Sequence, residues 1–320
     1  MNTLLVLAYN EEENISEVIL SLKDEFDDII VVNDSSQDST ESLLKKLSLN
    51  SSKIKILTNF KNLDAGKSFE VGIKAFLESS SSYLVKIDGD GQFNKKDVLN
   101  IKKLLNESNF DFIKCDRFWD GGIEGDIPNI RYYGNAFASF LIKFSTGNWS
   151  INDPLNGLFL FSKNAAKKIE IPKLFYRYGY PFYLCTLFSN YSIFSDLKFM
   201  QIKNKVSYGD ENSSLKAFTL FIKILRHTVS NYFRNIGKKV KVSSFHVSAL
   251  LDLLSTLLMP LLFYCSYKII SFRYFDSTGS QYNWFTFLIL LLILFLISVI
   301  SSQKIVNKMS KENFISYKFI

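Results

Sequence analysis

The chain has 320 residues, 47% of them hydrophobic and 22% charged, with a formal net charge of +7. That length holds one large domain or two smaller ones around a sizeable core. Seven cations between residues 215 and 242 (Lys216, Lys223, Arg226, Arg234, Lys238, Lys239 and Lys241), with no Asp or Glu among them, equal the whole excess. The charge is therefore local, which excludes a general nucleic-acid surface and points to one anionic partner, most simply a lipid headgroup layer. Cys115, Cys185 and Cys265 are odd in number and widely spaced, so they read as reduced packing residues and not as a disulfide frame or a zinc site. The only two histidines, His227 and His246, lie near the apolar C-terminal segments, which disfavours a His-based metal site or a Ser/His/Asp triad. The apolar run at 4–8 is too short for a signal-peptide core, so the N-terminal part is expected in the cytosol.

In chain order, residues 3–8 form an apolar strand that ends at Tyr9-Asn10-Glu11-Glu12-Glu13-Asn14 and leads into a helix with Ile15, Val18, Ile19 and Leu22 inward. Residues 28–33 repeat the pattern and end at Asp34-Ser35-Ser36-Gln37-Asp38-Ser39-Thr40, ahead of a helix carrying Leu43, Leu44 and Leu47. A third strand at 54–57 precedes a helix through Phe69, Ile73, Phe76 and Leu77, and a fourth strand occupies 83–87. This alternation predicts a doubly wound, mostly parallel α/β sheet. Ligands bind such sheets at the carboxyl ends of the strands. Tyr9 to Glu11, Asp34 and Asp88 to Gln92 all fall there. Further on come a strand at 110–115 ending at Asp116-Arg117, a glycine-rich loop at 120–125, and a helix at 131–144. The turn Asp153-Pro154-Leu155-Asn156-Gly157 then leads to a strand at 158–161, a helix from Tyr178, and a late strand within 198–206.

Residues 215–236 place Leu215, Phe218, Phe221, Ile222, Leu225, Val229, Phe233 and Ile236 on one helical face and Lys216, Lys223, Arg226, Ser230 and Arg234 on the other. That is the pattern of a helix lying in a membrane interface, with packing on the catalytic domain as the alternative. Residues 247–270 and 284–300 are apolar enough to cross a hydrocarbon core of roughly 30 Å, the second only just. Lysines precede and follow the pair (Lys238, Lys239, Lys241; Lys304, Lys308, Lys311), whereas the connection carries only Arg273 and Asp276. The positive-inside rule then puts both ends in the cytosol. Asp252 falls early in the first span, where it belongs near the cytosolic edge or against a partner helix, and Pro260 is expected to kink that span.

The chemistry centres on Lys86-Ile87-Asp88-Gly89-Asp90-Gly91-Gln92. Asp88, Asp90 and Gln92 alternate along the chain, and the glycine at 89 is expected to kink the backbone so that both carboxylates approach one cation. Oxygen donors this few suit Mg²⁺ or Mn²⁺ held partly by a substrate's phosphates.

Taken together, these motifs resemble the family 2 glycosyltransferases, in particular the polyprenyl-phosphate sugar transferases of the dolichol-phosphate-mannose-synthase type. The resemblance covers about residues 1–210, and the two-span tail matches bacterial members. It rests on Ala8-Tyr9-Asn10-Glu11, on Asn33-Asp34-Ser35-Ser36-Gln37-Asp38-Ser39-Thr40 and on Asp88-Gly89-Asp90-Gly91-Gln92. It rests also on Arg117, Arg131 with Gly134-Asn135, Asp153-Pro154-x-Asn156-Gly157 and Tyr208-Gly209-Asp210-Glu211-x-Ser213-Ser214. It implies a GT-A fold (Rossmann-like, mostly parallel) with an amphipathic interface helix and two C-terminal transmembrane helices. By position, Ala8, Tyr9, Glu11, Asp34 and Asp88 would meet the nucleoside, Lys67 would line the same site, and Asp88, Asp90 and Gln92 would hold the metal. Arg117 and Arg131 would receive the acceptor phosphate, with Asp153 a base if the acceptor is a hydroxyl. Three positions depart from the family pattern: Asn33 for its first Asp, Ser35 for its Gly, and Ala8 for Pro.

The expected function is an inverting, metal-dependent hexosyltransferase. It would move a mannose- or glucose-type sugar from a nucleotide-diphospho-sugar to polyprenyl phosphate at the cytosolic face of the plasma membrane. The expected domains are 1–210 catalytic, 211–245 juxtamembrane, 246–302 a membrane hairpin and 303–320 a basic tail. The alternatives are transfer to another lipid or glycan hydroxyl, or a silent scaffold that only binds nucleotide sugar or lipid. A processive polysaccharide synthase is disfavoured because none of Trp119, Trp149 and Trp284 stands in a Q-x-x-R-W signature. The sequence leaves the sugar, the base, the polyprenol and the oligomeric state open, a homo-oligomer included.

Overall fold

The computed structural model describes residues 1–107, 109–118, 123–124, 129–204, 206–207, 217–275, 281–311 and 313–316. The loop expected at 120–125 (apart from 123–124), Trp119, the 208–214 motif, Leu215, Lys216 and Asp276 lie outside the described residues.

Four strand–helix pairs open the chain: β1 (Asn2–Ala8) and α1 (Ile15–Leu22), β2 (Asp28–Asn33) and α2 (Thr40–Leu49), β3 (Ile54–Thr58) and α3 (Ala65–Glu78), β4 (Tyr83–Asp88) and α4 (Lys95–Glu107). Then follow β5 (Phe112–Asp116), the short β6 (Ile123–Glu124), α5 (Asn129–Thr146), β7 (Phe159–Ser162), α6 (Lys163–Ala166) and α7 (Tyr180–Phe194). The remainder is β8 (Phe199–Lys203), β9 (Val206–Ser207), α8 (Ala217–Lys241), α9 (His246–Phe275), α10 (Gln281–Ser310) and β10 (Phe314–Ser316). The main sheet runs β10-β8-β5-β7-β4-β1-β2-β3. All its neighbours are parallel except β7, which is antiparallel to both β4 and β5. The α/β fold with a mostly parallel sheet and two long apolar C-terminal helices is therefore present.

Side-chain alternation along the strands builds a core on each face of this sheet. Leu5 and Leu7 of β1 join Phe69, Ile73 and Phe76 of α3 and Phe182 and Phe188 of α7. Leu4, Val6 and Ala8 join Ile15 and Ile19 of α1, Leu44 of α2 and Val98 and Ile101 of α4. Phenylalanines 112, 159, 161, 188 and 199 are each at most 1% exposed, and such a side chain contributes roughly 1.5–3 kcal/mol on burial. Cys115, Cys185 and Cys265 are free and buried, as packing residues. Burial pushes the Cys185 thiol up to about 12, far from a reactive thiolate.

The chain divides into two compact units, one of residues 1–143, 150–228 and 313–320, the other of 144–149 and 229–312. In the second, α9 and α10 are 30 residues each, longer than the apolar spans because each helix continues into its polar flanks. Two stretches, Ser243–Ser271 and Asn283–Ser310, are long and apolar enough to cross a membrane, each containing 18 consecutive residues of mean hydropathy 1.8 and 2.8 respectively. Pro260 lies inside α9. Asp252 does have a partner: its carboxylate takes hydrogen bonds from Lys239 Nζ at 2.6 Å and from Ser302 Oγ.

Candidate functional site

Strand register brings the motif ends together. Ala8 lies opposite Asn33, and Leu7 opposite Asp88. The chain continues this alignment past the strands, with Asp34 N donating to Ala8 O at 2.9 Å, Gly89 N to Leu7 O at 2.8 Å and Asn59 N to Asn33 O at 2.9 Å. The loops after β1, β2, β3 and β4 thus share the carboxyl edge of the sheet.

Two of these loops are stitched to each other. Asn10 N donates to Ser36 Oγ (3.0 Å), Gln37 N to Asn10 Oδ1 (2.8 Å), Glu11 N to Thr40 Oγ1 (2.8 Å) and Ser39 N to Glu12 Oε2 (2.9 Å). Asn10 and Ser35 take the left-handed conformation, at φ 57° and 61°. At Ser35 this accounts for the glycine of the family pattern, because a Cβ is disfavoured there. Asn33 Oδ1 accepts from Ser36 N and Ser36 Oγ, holding the turn after β2. Its Nδ2 is buried without a partner. Asp34, 4% exposed, accepts from Asn59 Nδ2 at 2.7 Å and from Leu63 N at 2.8 Å, ordering the loop after β3. Tyr9 is 44% exposed at the same edge.

Asp88, Asp90 and Gln92 form the turn after β4. Asp90 Oδ1 accepts from Gln92 N at 3.1 Å, and the left-handed bend falls at Gly91, φ 75°, rather than at Gly89. Asp88 Oδ1 lies 2.6 Å from Lys86 Nζ. Asp88 and Gly91 also line a cleft of about 290 Å³ together with Asn14, Glu17, Ile87 and Phe93. Among the described residues no three His, Cys, Asp or Glu side chains cluster to enclose a metal. Two carboxylates and an amide oxygen are donors that would suit a hard cation, were its other ligands supplied by a diphosphate.

Lys86 and Lys114 are 0% exposed within apolar strands, and both stand opposite Phe159 of the antiparallel β7. Burial opposes the charge on Lys86, but Asp88 and Tyr180 outweigh it and raise its pKa above the ordinary lysine value. Lys114 donates to Asn152 O and, at 3.2 Å, to Gln201 Oε1.

Arg117 and Asp153 come together as a bidentate pair. Nε reaches Oδ2 at 2.8 Å, Nη2 reaches Oδ1 at 2.7 Å, and the Arg117 backbone N adds 2.9 Å to Oδ2. Asn135 and Asn156 also donate to this carboxylate. Asp153 is fully buried at φ 47°. Burial works against its charge, yet the Arg117 guanidinium holds the carboxyl below the usual aspartate range. Arg117 is thus engaged by a protein carboxylate, and a carboxyl held below its ordinary range is a weaker base than a free aspartate. Lys67, expected along the nucleotide site, pairs with Glu70 at 3.0 Å and sits over the Tyr176 ring. Arg131 is half-buried in the first turn of α5.

The family model described as "Glycosyl transferase family 2" matches residues 3–170, from β1 through α6 and across every loop just described. The chain belongs to glycosyl transferase family 2. A curated relative from Methanocaldococcus jannaschii, the uncharacterized protein MJ1222, is 31% identical over 166 residues, covering 52% of this chain and 66% of its own length. A UDP-N-acetylglucosamine–dolichyl-phosphate N-acetylglucosaminyltransferase from Methanococcus voltae is 29% identical over 181 residues, covering 52% of this chain and 71% of its own. Among solved structures, S. aureus TarS 1–349 aligns with TM-score 0.44 at 15% identity, over 97% of this chain and 91% of that one. The mannosyltransferase PcManGT from Pyrobaculum calidifontis, in complex with GDP-Man and Mn²⁺, aligns with TM-score 0.45 at 12% identity, over 98% and 86%.

Within this family 2 chain, sequence reasoning assigned no role to Lys86, Lys114, Tyr180, Gln201 or Asn204, whose Oδ1 accepts from Asn156 Nδ2 at 3.2 Å. The signal for the two lysines was present: a lone cation near the end of each of two otherwise apolar strands must find buried partners. Tyr180, Gln201 and Asn204 carry no such mark, because their partners come from distant segments.

Proposed function

We propose that this protein is an inverting glycosyltransferase that moves a hexose from a nucleotide-diphospho-sugar to polyprenyl phosphate at the cytosolic membrane face. Family membership supports sugar transfer, and the relative named for dolichyl phosphate supports the lipid acceptor. The observation that carries the choice of acceptor is Asp153. A hydroxyl acceptor would need a base, and this carboxylate is saturated by Arg117, Asn135 and Asn156 and acidified. A phosphate acceptor arrives already ionised and needs none.

In this reading the Tyr9–Glu11 and Asp34 loops receive the nucleoside. Asp88, Asp90 and Gln92 would hold a divalent cation against the diphosphate. When bound, Mg²⁺ or Mn²⁺ would neutralise charge on the departing diphosphate. The Arg117–Asp153 pair fixes the turn at 153–157 beside that site, and Arg131 is the cation assigned to the acceptor phosphate, which guanidinium can bind bidentately. The acceptor oxygen attacks the anomeric carbon opposite the leaving group, which inverts the centre.

Membrane attachment is supported by the two long apolar helices and by α8. Its apolar face is left open, with Phe218, Phe221, Ile222, Leu225, Val229 and Phe233 exposed. Its inward face holds Ile224, His227, Thr228, Asn231 and Asn235. A helix that buries its asparagines and exposes its phenylalanines suits an interface whose apolar side is lipid. The lysines before and after the hairpin, set against a connection without lysine, support a cytosolic position for both of its ends.

The test offers the full chain a panel of nucleotide sugars with either polyprenyl phosphate or the matching polyprenol. Turnover only with the phosphate is expected, and at least 10³-fold less with Asp90→Ala at unchanged melting temperature. Equal use of the polyprenol would overturn the acceptor assignment.

A further inference from the structure

We propose that Lys86 is a built-in counter-ion for Asp88 that makes divalent-cation binding at the turn after β4 depend on the donor's diphosphate. This rests on the donor-site reading above and adds to it a residue outside the family motifs.

Lys86 is 0% exposed, so its ammonium is reached by protein groups alone. Its Nζ lies 2.6 Å from Asp88 Oδ1 and 3.1 Å from Gly157 O. The Tyr180 ring lies beside it, with its centroid 5.4 Å away. An ammonium has three N–H groups, and here one carboxylate from its own strand and one carbonyl from the turn after residue 153 accept from it. Tyr180 is itself fixed by stacking on Phe69 at 5.2 Å. Gly157 is required by this arrangement: a Cβ there would lie 2.6 Å from Asp88 Oδ2 and 3.3 Å from Lys86 Nζ. The cation is therefore buried between Asp88 and the Gly157 carbonyl, with no path to solvent.

Asp88 faces both ways. One oxygen is committed to Lys86, while the side chain remains 35% exposed. Without Lys86, Asp88 and Asp90 would offer a divalent ion two negative charges. With it, the local balance is close to one, and among the described residues no third acidic, His or Cys side chain joins them. A divalent cation loses much hydration on binding and needs charge in return. The missing negative charge is what a nucleoside diphosphate carries, so metal and donor should enter together.

The experiment titrates Mn²⁺ by electron paramagnetic resonance into the full chain in detergent, alone and with UDP, GDP, CDP or dTDP. Wild type, Lys86→Gln and Lys86→Arg are compared. Wild type should bind Mn²⁺ alone at least ~10-fold more weakly than with its preferred nucleotide. Lys86→Gln keeps hydrogen-bond donors without charge, and should bind Mn²⁺ alone ~10-fold more tightly than wild type, narrowing that gap. Lys86→Arg restores the charge and should restore the dependence. Lys86→Gln with wild-type Mn²⁺ affinity, or Lys86→Arg behaving as Lys86→Gln, would overturn the inference. Should Lys86→Gln lack a melting transition, the wild-type comparison decides: equal Mn²⁺ affinity with and without nucleotide sinks the proposal. Wild type that binds no nucleotide with Mn²⁺ would remove the donor-site reading itself, and this inference with it.

Discussion

At Ser35 a side chain occupies backbone that favours glycine, at φ 61°. Left-handed backbone costs a non-glycine residue roughly 1–2 kcal/mol, partly offset by the greater unfolded-state entropy of glycine. Ser35→Gly should therefore raise stability by about 0.5–1 kcal/mol, read as a higher melting temperature. A lower one would show that the Ser35 side chain earns its place by a contact. Asp153 makes a second prediction. Its folded pKa is depressed, so the stability it contributes is complete above the ordinary aspartate value near about 3.9 and is lost as pH falls through the folded value. Urea unfolding from about pH 5 downward should show that acid loss in wild type and a shallower one in Asp153→Asn. The variant should start about 3 kcal/mol lower, because Arg117 loses its partner.

Among the elements, the strands and the long helices were legible because hydrophobic period marks them directly. β1 to β4 lie within a residue or so of their expected bounds. The antiparallel β7 between β4 and β5 was legible as a strand but not in direction, since nothing in Leu158 to Phe161 encodes which neighbours it meets. β10, three residues joined to β8, escaped notice because so short a run has no period. The loops divide similarly. Asp34, Asp88 and Asp90 were readable as strand-end carboxylates. The partnership of Arg117 with Asp153 joins residues 36 apart and depends on tertiary placement alone. In the helical unit, Lys239 and Asp252 are 4% and 2% exposed as side chains and 2.6 Å apart. Breaking such a pair from one side costs about 3–5 kcal/mol, while replacing both by apolar residues is often neutral. Asp252→Leu alone should lower stability in detergent by about that amount, and Lys239→Met with Asp252→Leu should recover most of it. Equal loss in single and double variants would show that the two charges act separately.

For the whole molecule, the account joins a carboxyl-edge site, set by four strand ends, to an apolar apparatus suited to a lipid surface. Neither half explains the other alone: a soluble acceptor would leave the open apolar face of α8 without purpose, and a bare membrane anchor would not need Asp88, Asp90 and Gln92 in one turn. The measurement that bears most directly on this union uses the purified full chain in lipid vesicles containing polyprenyl phosphate. A panel of radiolabelled nucleotide sugars is added with Mn²⁺, and the vesicles are extracted into organic solvent. The account predicts that label from one nucleotide sugar enters the organic phase, only when polyprenyl phosphate is present and not with Asp90→Ala. Label that stays in the aqueous phase across the whole panel, while the nucleotide sugar is bound or consumed, would contradict it.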